Sequence, residues 1–258
     1  MGLGTFKRFE RTQDNRKNLV GWESVPVTVS EGWALELCGE AIDLDDLREA
    51  LRPPFDPWVE EYLDGETARL LLRSKMWAGL GTTGEMMAEA RRLVDQINGA
   101  HLVGQSDAKP ITAGITLRFR ADGTRDHVMI AATGHFKLEG MRVRMHLSNL
   151  AVGPPPEPAP SPMQRRIARA VDNEIVADFL TFIARLDNWF DLYKALELAE
   201  DLCGGETDAK RLEPRWKSLK RTANRYRHAP GPKHTLPPRP ATIDEGREIL
   251  LRIARAVI

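Results

Sequence analysis

The sequence has few cysteines, no excess of either charge and no long apolar run. Its 258 residues include only Cys38 and Cys203, which lie far apart and suggest neither a disulfide framework nor a zinc site. Lys plus Arg and Asp plus Glu number 37 each, so no net charge attracts the whole molecule to nucleic acid or to a membrane. No apolar run approaches the roughly 20 residues of a membrane span, and the N-terminus lacks the apolar core of a signal peptide. We therefore expect a cytoplasmic protein that does not bind a membrane.

Proline is concentrated in one place and divides the chain. The sequence GPPPEPAPSP at 153–162 has six prolines in ten residues, which favours an extended polyproline spacer. It separates a predicted α+β domain at 21–152 from a predicted helical bundle at 163–258, and residues 1–20 are polar and expected to be loose. A hydrophobic fraction of 42% is enough for a real core. The predicted fold class is α+β.

Apolar periodicity predicts the elements of the first domain. In chain order these are strands at 22–29 and 33–38, helices at 43–51, 58–77 and 85–98, and an antiparallel β-meander of three strands between 111 and 150. Thr82 and Glu85 form a predicted capping box at the start of the third helix, and Gly99 is its predicted end.

No cofactor and no metal site is predicted. The glycines at 79–84 have the spacing of a dinucleotide-binding fingerprint, but the residues before them indicate an amphipathic helix where that site needs a buried strand. The carboxylates at 43–46 suit the positive end of a helix dipole without an ion. The histidines at 127–146 are irregularly spaced, which is not typical of a ligand set.

Arginines alternate with apolar residues on two of the meander strands. Arg118 and Arg120 lie on the first of them, and Arg142 and Arg144 on the last. One face of these strands is therefore predicted to be core and the other basic. The basic face is a candidate surface for an anionic ligand, and the alternative is an ordinary solvated face.

Four amphipathic helices are predicted beyond the spacer. Ser161, Pro162 and Gln164 provide an N-cap, a first-turn proline and a capping box. The helices then cover 164–186 as one piece or two, 189–203, 214–229, and a last stretch capped by Thr242 and Glu245 that runs to the C-terminus. Short to moderate connections between such helices favour a bundle.

The stretch KRTANRYRH at 220–228 has the most distinctive chemistry. On a helix, its region gives an apolar stripe of Trp216, Leu219, Ala223 and Tyr226. The opposite face then carries Lys217, Arg221, Asn224 and His228. Residues 210–233 include nine cations against one carboxylate, so the positive charge is local. Such a face can hold a phosphate and move a proton.

An arginine and a histidine separated by four to six residues on a late helix of a small bundle resemble the HEPN superfamily, many members of which are metal-independent ribonucleases of toxin and antiviral systems. Arg221 and His228, separated by TANRYR, have this spacing, and the resemblance covers about 163–258. It implies a homodimer through the bundle, in which Arg221 and His228 are catalytic and Asn224 orients the phosphate or the histidine. The residues expected to hold flanking phosphates of RNA are Lys217, Lys220, Arg225 and Arg227.

The resemblance leaves a second interpretation open. Thr222 occupies the position after the arginine, where the family usually has Asn, Asp or His, and many HEPN-like domains are binding modules without catalysis. The alternative is therefore a non-catalytic module for nucleic acid, nucleotide or protein. His234 is an alternative imidazole, although the prolines before it break the helix that would align it. The sequence indicates neither the RNA target nor a neutralising or activating partner, and for 21–152 it resembles no family we can name.

Overall fold

A computed structural model describes residues 31–65, 67–122, 124–128, 158–228 and 234–258. Four predictions lie outside these ranges: the loose segment at 1–20, the strand at 22–29, the last strand of the meander with Arg142 and Arg144, and residues 153–157 of the spacer.

The described residues form five strands and eight α-helices. The strands are β1 (Gly32–Cys38), β2 (Trp58–Asp64), β3 (Thr67–Arg73), β4 (Thr112–Phe119) and β5 (Arg125–Val128). The helices are α1 (Ala41–Ala50), α2 (Thr83–Gly104), α3 (Pro162–Asp172), α4 (Glu174–Ile183), α5 (Trp189–Cys203), α6 (Glu206–Leu212), α7 (Trp216–Arg227) and α8 (Ile243–Val257). None of these helices is long and apolar enough to span a membrane.

The strands form one antiparallel sheet in the order β2-β3-β1-β4-β5. The predicted α+β class is therefore confirmed, as are the strand at 33–38 and the hairpin of the first two meander strands. β1 lies at the centre and joins the early hairpin to the later one, with Leu35 opposite Leu72 on one side and opposite Thr116 on the other.

The helix predicted at 58–77 is wrong, because this segment forms the hairpin of β2 and β3. Its Glu, Leu, Ala and Arg residues favour a helix in isolation. Two features override that preference: Gly65 adopts the left-handed conformation, with φ 63°, at the turn, and the pairing of β3 with β1 buries Leu71 and Leu72 completely. A tertiary contact decides the conformation here.

The three predicted capping boxes are confirmed, whereas α1 begins at Ala41 and α7 at Trp216, not at the predicted 43 and 214, and neither start has a side-chain cap. Capping boxes are present at Thr82, Ser161 and Thr242, each closed by the side chain three residues later. The stretch at 164–186, predicted as one helix or two, is two helices, because the side chain of Asn173 accepts hydrogen bonds from the amides of Ile175 and Val176 and caps a new start.

The end predicted for α2 at Gly99 is wrong, because the helix continues to Gly104. Gly99 is instead the point at which α2 and α4 approach each other. A Cβ atom on Gly99 would lie 2.0 Å from the carbonyl oxygen of Leu180, so only a hydrogen fits between the two backbones. Glycine therefore permits a close helix crossing here and does not terminate the helix.

One continuous core joins the sheet to the C-terminal helices. α2 contacts the sheet through Met87, whose sulfur accepts a hydrogen bond of 3.1 Å from Thr116 Oγ1, and it packs against α3, α4 and α8 as well. The buried cluster extends from Trp33 in β1 to Ala254 in α8. The domain border at 153–162 stays a prediction, but the described residues on its two sides share this core.

The α6–α7 connection contains a carboxylate that fixes several elements. Neither α6 nor this contact is predicted from the sequence. Glu213 Oε1 accepts a hydrogen bond of 3.1 Å from the Arg215 amide, and its Oε2 accepts one of 2.6 Å from Arg252 in α8. Burial raises the pKa of Glu213, but the Arg252 guanidinium and the Arg215 amide outweigh it, so the pKa lies below its usual value.

A carboxylate with a lowered pKa in the folded state stabilises the fold above its unfolded pKa, about 4.3, and this contribution is lost as the pH falls through the folded value. We therefore expect Glu213→Gln to cost about 1–3 kcal/mol near neutral pH. The difference from wild type should shrink below about pH 4. Urea unfolding over a pH series measures it, with the exposed Glu89→Gln as control. A difference that stays constant down to about pH 3 would contradict the assigned role.

Candidate active site

Helix α7 is held firmly against α5 and the segment before α8. Trp216 is fully buried, and its Nε1–H donates a 2.7 Å hydrogen bond to Glu200 Oε1. The hydroxyl of Thr222 donates to the carbonyl of Ser218 and accepts a hydrogen bond of 3.2 Å from the Ala241 amide. Because α7 is fixed at these points, the side chains at its C-terminal end have defined positions.

Tyr226 was predicted in the buried stripe of α7, and this prediction is wrong. Its side chain is 53% exposed and stacks on Trp189, with ring centroids 5.1 Å apart and planes 14° from parallel. The buried stripe ends at Ala223 because Tyr226 packs against the start of α5 instead of the core. Phe190, the next residue of α5, is also exposed. Aromatic surface therefore remains accessible beside the end of α7.

Three of the predicted site residues meet at the C-terminus of α7. The Nε–H of Arg227 is shared between Asn224 Oδ1 and His228 Nε2, each 3.2 Å away. The same guanidinium lies over the ring of Tyr193 in α5, at 3.6 Å from the centroid. The cation–π contact fixes Arg227, so Arg227 in turn orients the amide and the imidazole.

The structure adds His234 to this group. Its Nδ1 lies 3.1 Å from Asn224 Nδ2, and its ring stacks on that of His228 with centroids 4.3 Å apart and planes 10° from parallel. Helical periodicity cannot align His234 with α7, because prolines intervene. The sequence does contain a signal for this contact. His228 and His234 flank a short stretch with proline and glycine, residues that favour a turn, and a turn can bring the two histidines together.

The environment of His228 favours its neutral form. Local desolvation, then the neighbouring His234 and the positive charge of Arg227, lower the pKa of His228 from its usual value. An imidazole that is unprotonated near neutral pH can accept a proton. His228 therefore has the protonation state of a general base.

Arg221 lies outside the cluster but on the same side of α7. It precedes His228 by seven residues, about 10 Å along the helix axis. Its side chain is exposed and, among the described residues, forms no hydrogen bond or ion pair. Arg221 can therefore approach a ligand that spans the distance between it and the imidazoles.

The other predicted phosphate contacts are not on one surface. Lys217 is exposed and Arg225 half-buried, whereas Lys220 forms an ion pair with Glu200. Lys220 lines a groove of about 630 Å³ together with the carboxylates Asp178, Glu197, Glu200 and Asp201. Its four carboxylates outnumber Lys194 and Lys220, so the groove disfavours a phosphate and Lys220 does not belong with the cations at the end of α7.

The predicted basic strand face is only partly within the described residues. Arg118 lies over the ring of Trp33, 5.0 Å from its centroid. Arg120 Nη2 donates hydrogen bonds to both carboxylate oxygens of Asp126. Thr116 on the same face contacts α2, while Leu117 and Phe119 on the opposite face form a smaller apolar cluster. Both guanidinium groups thus have partners within the chain.

One buried group has the composition of a metal site. Asp43, Asp46 and His101 place one ligand atom each within 4.8 Å of one another. Asp46 Oδ2 lies 3.4 Å from His101 Nε2, and Asp43 Oδ1 accepts a hydrogen bond from the Lys109 amide. These contacts join α1 to α2 and to the segment before β4.

The chain matches no protein-family model, no curated protein and no solved structure in the comparisons.

Proposed function

We propose that the protein is a metal-independent endoribonuclease of the HEPN type, acting in a toxin or antiviral defence system. The observation that supports it most is the joining of Asn224, Arg227 and His228 at the end of α7, with exposed Arg221 on the same helix. These are the residue types that bind a phosphodiester and move its protons.

RNA carries its own nucleophile, the 2′-hydroxyl next to the scissile phosphate. In the proposed reaction His228 accepts the 2′-hydroxyl proton while the oxygen attacks phosphorus, and the bond from phosphorus to the 5′-oxygen breaks. Arg221 contributes two parallel N–H donors to the phosphate oxygens as negative charge develops there. Arg227 and Asn224 keep the imidazole of His228 in place.

Arg221 and the imidazoles of one chain present few phosphate contacts. We therefore propose a homodimer in which the ends of two α7 helices face each other and both copies contact the same RNA. Light scattering at micromolar concentration is expected to give about twice 29.0 kDa. A strict monomer that still cleaves RNA would exclude the composite site.

The test is cleavage of single-stranded RNA by purified protein in EDTA. We expect cyclic phosphate ends, and we expect DNA of the same sequence to remain intact because it lacks the 2′-hydroxyl. His228→Ala should lose about a hundredfold or more in rate, the usual contribution of a positioned acid or base. Arg221→Lys should lose nearly as much, because an ammonium cannot form the two-pronged contact.

Controls separate catalysis from folding. Arg92→Lys makes the same chemical change on the exposed face of α2 and should leave the rate unchanged. The melting temperatures of His228→Ala and Arg221→Lys should match wild type, because both side chains are exposed. If wild-type protein cuts no RNA in EDTA even at high enzyme concentration, the proposed activity is ruled out.

A non-catalytic RNA-binding module is the second candidate, and two observations favour it. Thr222 is fully buried and holds the Ala241 amide, so the position after Arg221 contributes no polar group to the site. The exposed Tyr226–Trp189 pair offers a face on which a base can stack. Tight RNA binding that falls with Tyr226→Ala, together with equal inertness of wild type and His228→Ala, would establish this module.

A further inference from the structure

Two imidazoles stack at the end of α7, and the mechanism above uses only one of them. His228 and His234 lie with their ring centroids 4.3 Å apart, and each ring has one nitrogen in a hydrogen bond to a different partner. Within the described part of the chain, neither ring is hydrogen-bonded to a carboxylate. The pair therefore has no buried acid that would hold both rings protonated.

Cleavage through the 2′-hydroxyl needs two proton transfers. One group removes a proton as the 2′-oxygen bonds to phosphorus, and a second group gives a proton to the departing 5′-oxygen. A single imidazole cannot do both at once on opposite sides of phosphorus. Two adjacent imidazoles, one neutral and one protonated, supply a base and an acid together.

Electrostatics disfavour a positive charge on both rings at once. Two imidazolium charges at stacking distance would repel each other. Among the described residues, the charged group in contact with the pair is the Arg227 guanidinium, which also lies over the ring of Tyr193 and adds to this repulsion.

The hydrogen-bond partners distinguish the two rings. His228 Nε2 faces Arg227, and a guanidinium can only donate, so this partner favours the unprotonated ring. His234 Nδ1 lies against Asn224 Nδ2, the donor end of a neutral amide whose Oδ1 accepts from Arg227 Nε–H. Arg227 Nε–H is shared with His228 Nε2, so it keeps an acceptor if the amide turns its oxygen towards a protonated His234. His234 therefore has an uncharged partner that can turn, whereas the partner of His228 is a cation.

We propose that His234 is a second catalytic residue, the general acid that protonates the leaving 5′-oxygen while His228 accepts the 2′-hydroxyl proton. The proposal rests on the ribonuclease function above. The bond from the 2′-oxygen to phosphorus forms as the bond to the 5′-oxygen breaks, the products are a cyclic phosphate and a 5′-hydroxyl, and solvent returns the proton from His228 to His234. The acid and the base both come from one chain. In the proposed dimer, the partner copy therefore contributes contacts to the phosphates of the RNA.

The experiment compares two substrates. On RNA, His234→Ala and His234→Asn should lose about a hundredfold or more, like His228→Ala. On uridine 3′-(p-nitrophenyl phosphate), the phenolate leaves without a proton, so both His234 variants should approach the wild-type rate while His228→Ala stays slow. The wild-type pH–rate profile on RNA should be bell-shaped, and its descending limb should disappear in His234→Asn.

A readout without catalysis separates this inference from the proposed function. The ring-proton NMR resonances of His234 should shift when His228 is replaced by alanine, because the replacement removes the aromatic ring that is stacked on His234. RNA cleavage that is as fast in both His234 variants as in wild type would overturn the general-acid role and leave the ribonuclease function standing. Equal losses in the His234 variants on both substrates would also overturn it. Inert wild type would refute both proposals, and the NMR shift would then report only the stacked pair.

Discussion

Replacing Gly99 by alanine is expected to lower the free energy of unfolding by about 3 kcal/mol or more. The new Cβ would lie 2.0 Å from the Leu180 carbonyl oxygen and 2.7 Å from its carbonyl carbon, both of them backbone atoms. A flexible side chain could rotate away, but a helix backbone cannot. α2 and α4 would have to separate along their contact, and both contribute fully buried side chains to the core.

The same helix provides a matched control. Gly104, at the end of α2, has no atom within 4 Å of its would-be Cβ, so Gly104→Ala should be neutral or slightly stabilising through helix propensity. Chemical denaturation of the two variants beside wild type measures the difference. Similar midpoints for Gly99→Ala and Gly104→Ala would show that the approach of α2 to α4 is looser than these distances require.

Much of the helical part follows from local signals in the sequence. Capping boxes at Thr82, Ser161 and Thr242 and the left-handed cap at Gly204 act over a few residues, so they can be recognised without tertiary information. The β2–β3 hairpin could not be recognised in this way. Its residues favour a helix. The strand conformation is preferred because pairing of β3 with β1 buries Leu71 and Leu72.

The site was predictable to the extent that one helix defines it. Asn224 and Arg227 lie three positions apart on α7, so helical geometry brings them together. His228 was predicted within the helix at 214–229, but α7 ends at Arg227 and His228 follows it as the C-cap with extended backbone. His234 joins them through a tertiary return that periodicity does not encode. Lys220 left the predicted set for a similar reason: its ion pair with Glu200 depends on where α5 lies.

Helix α5 contacts both the shared core and the residues of the candidate site. α2 packs on α4, α4 on α5, and α5 on α7. α5 carries Glu200, which binds Trp216, and Tyr193, which holds Arg227. The position of the imidazole pair therefore depends on contacts that begin in the helix packed on the sheet. The described helices after the spacer therefore share packing contacts with the elements before it.

Gln164→Glu is expected to destabilise the protein by about 3–5 kcal/mol near neutral pH, because it leaves an uncompensated buried charge. Gln164 is 2% exposed, and its Nε2 lies 2.9, 3.1 and 3.0 Å from the carbonyl oxygens of Arg52, Phe55 and Pro57. Its Oε1 accepts the Ser161 amide in the capping box. The variant keeps that acceptor and the size of the side chain, but it directs a carboxylate oxygen at three carbonyl oxygens.

Burial among acceptors raises the pKa of the new carboxyl group, so its destabilising effect should be greatest near neutral pH and should decrease as the pH falls and the group becomes a donor. The opposite exchange at the equivalent position of α2, Glu85→Gln, is the control, because Glu85 closes the same kind of capping box on an exposed surface and should barely change the unfolding midpoint. Urea denaturation over a pH series compares the two. A Gln164→Glu variant as stable as wild type near neutral pH would mean that α3 is not attached to the α1–β2 connection through these carbonyls, and the shared core would then depend on apolar packing alone.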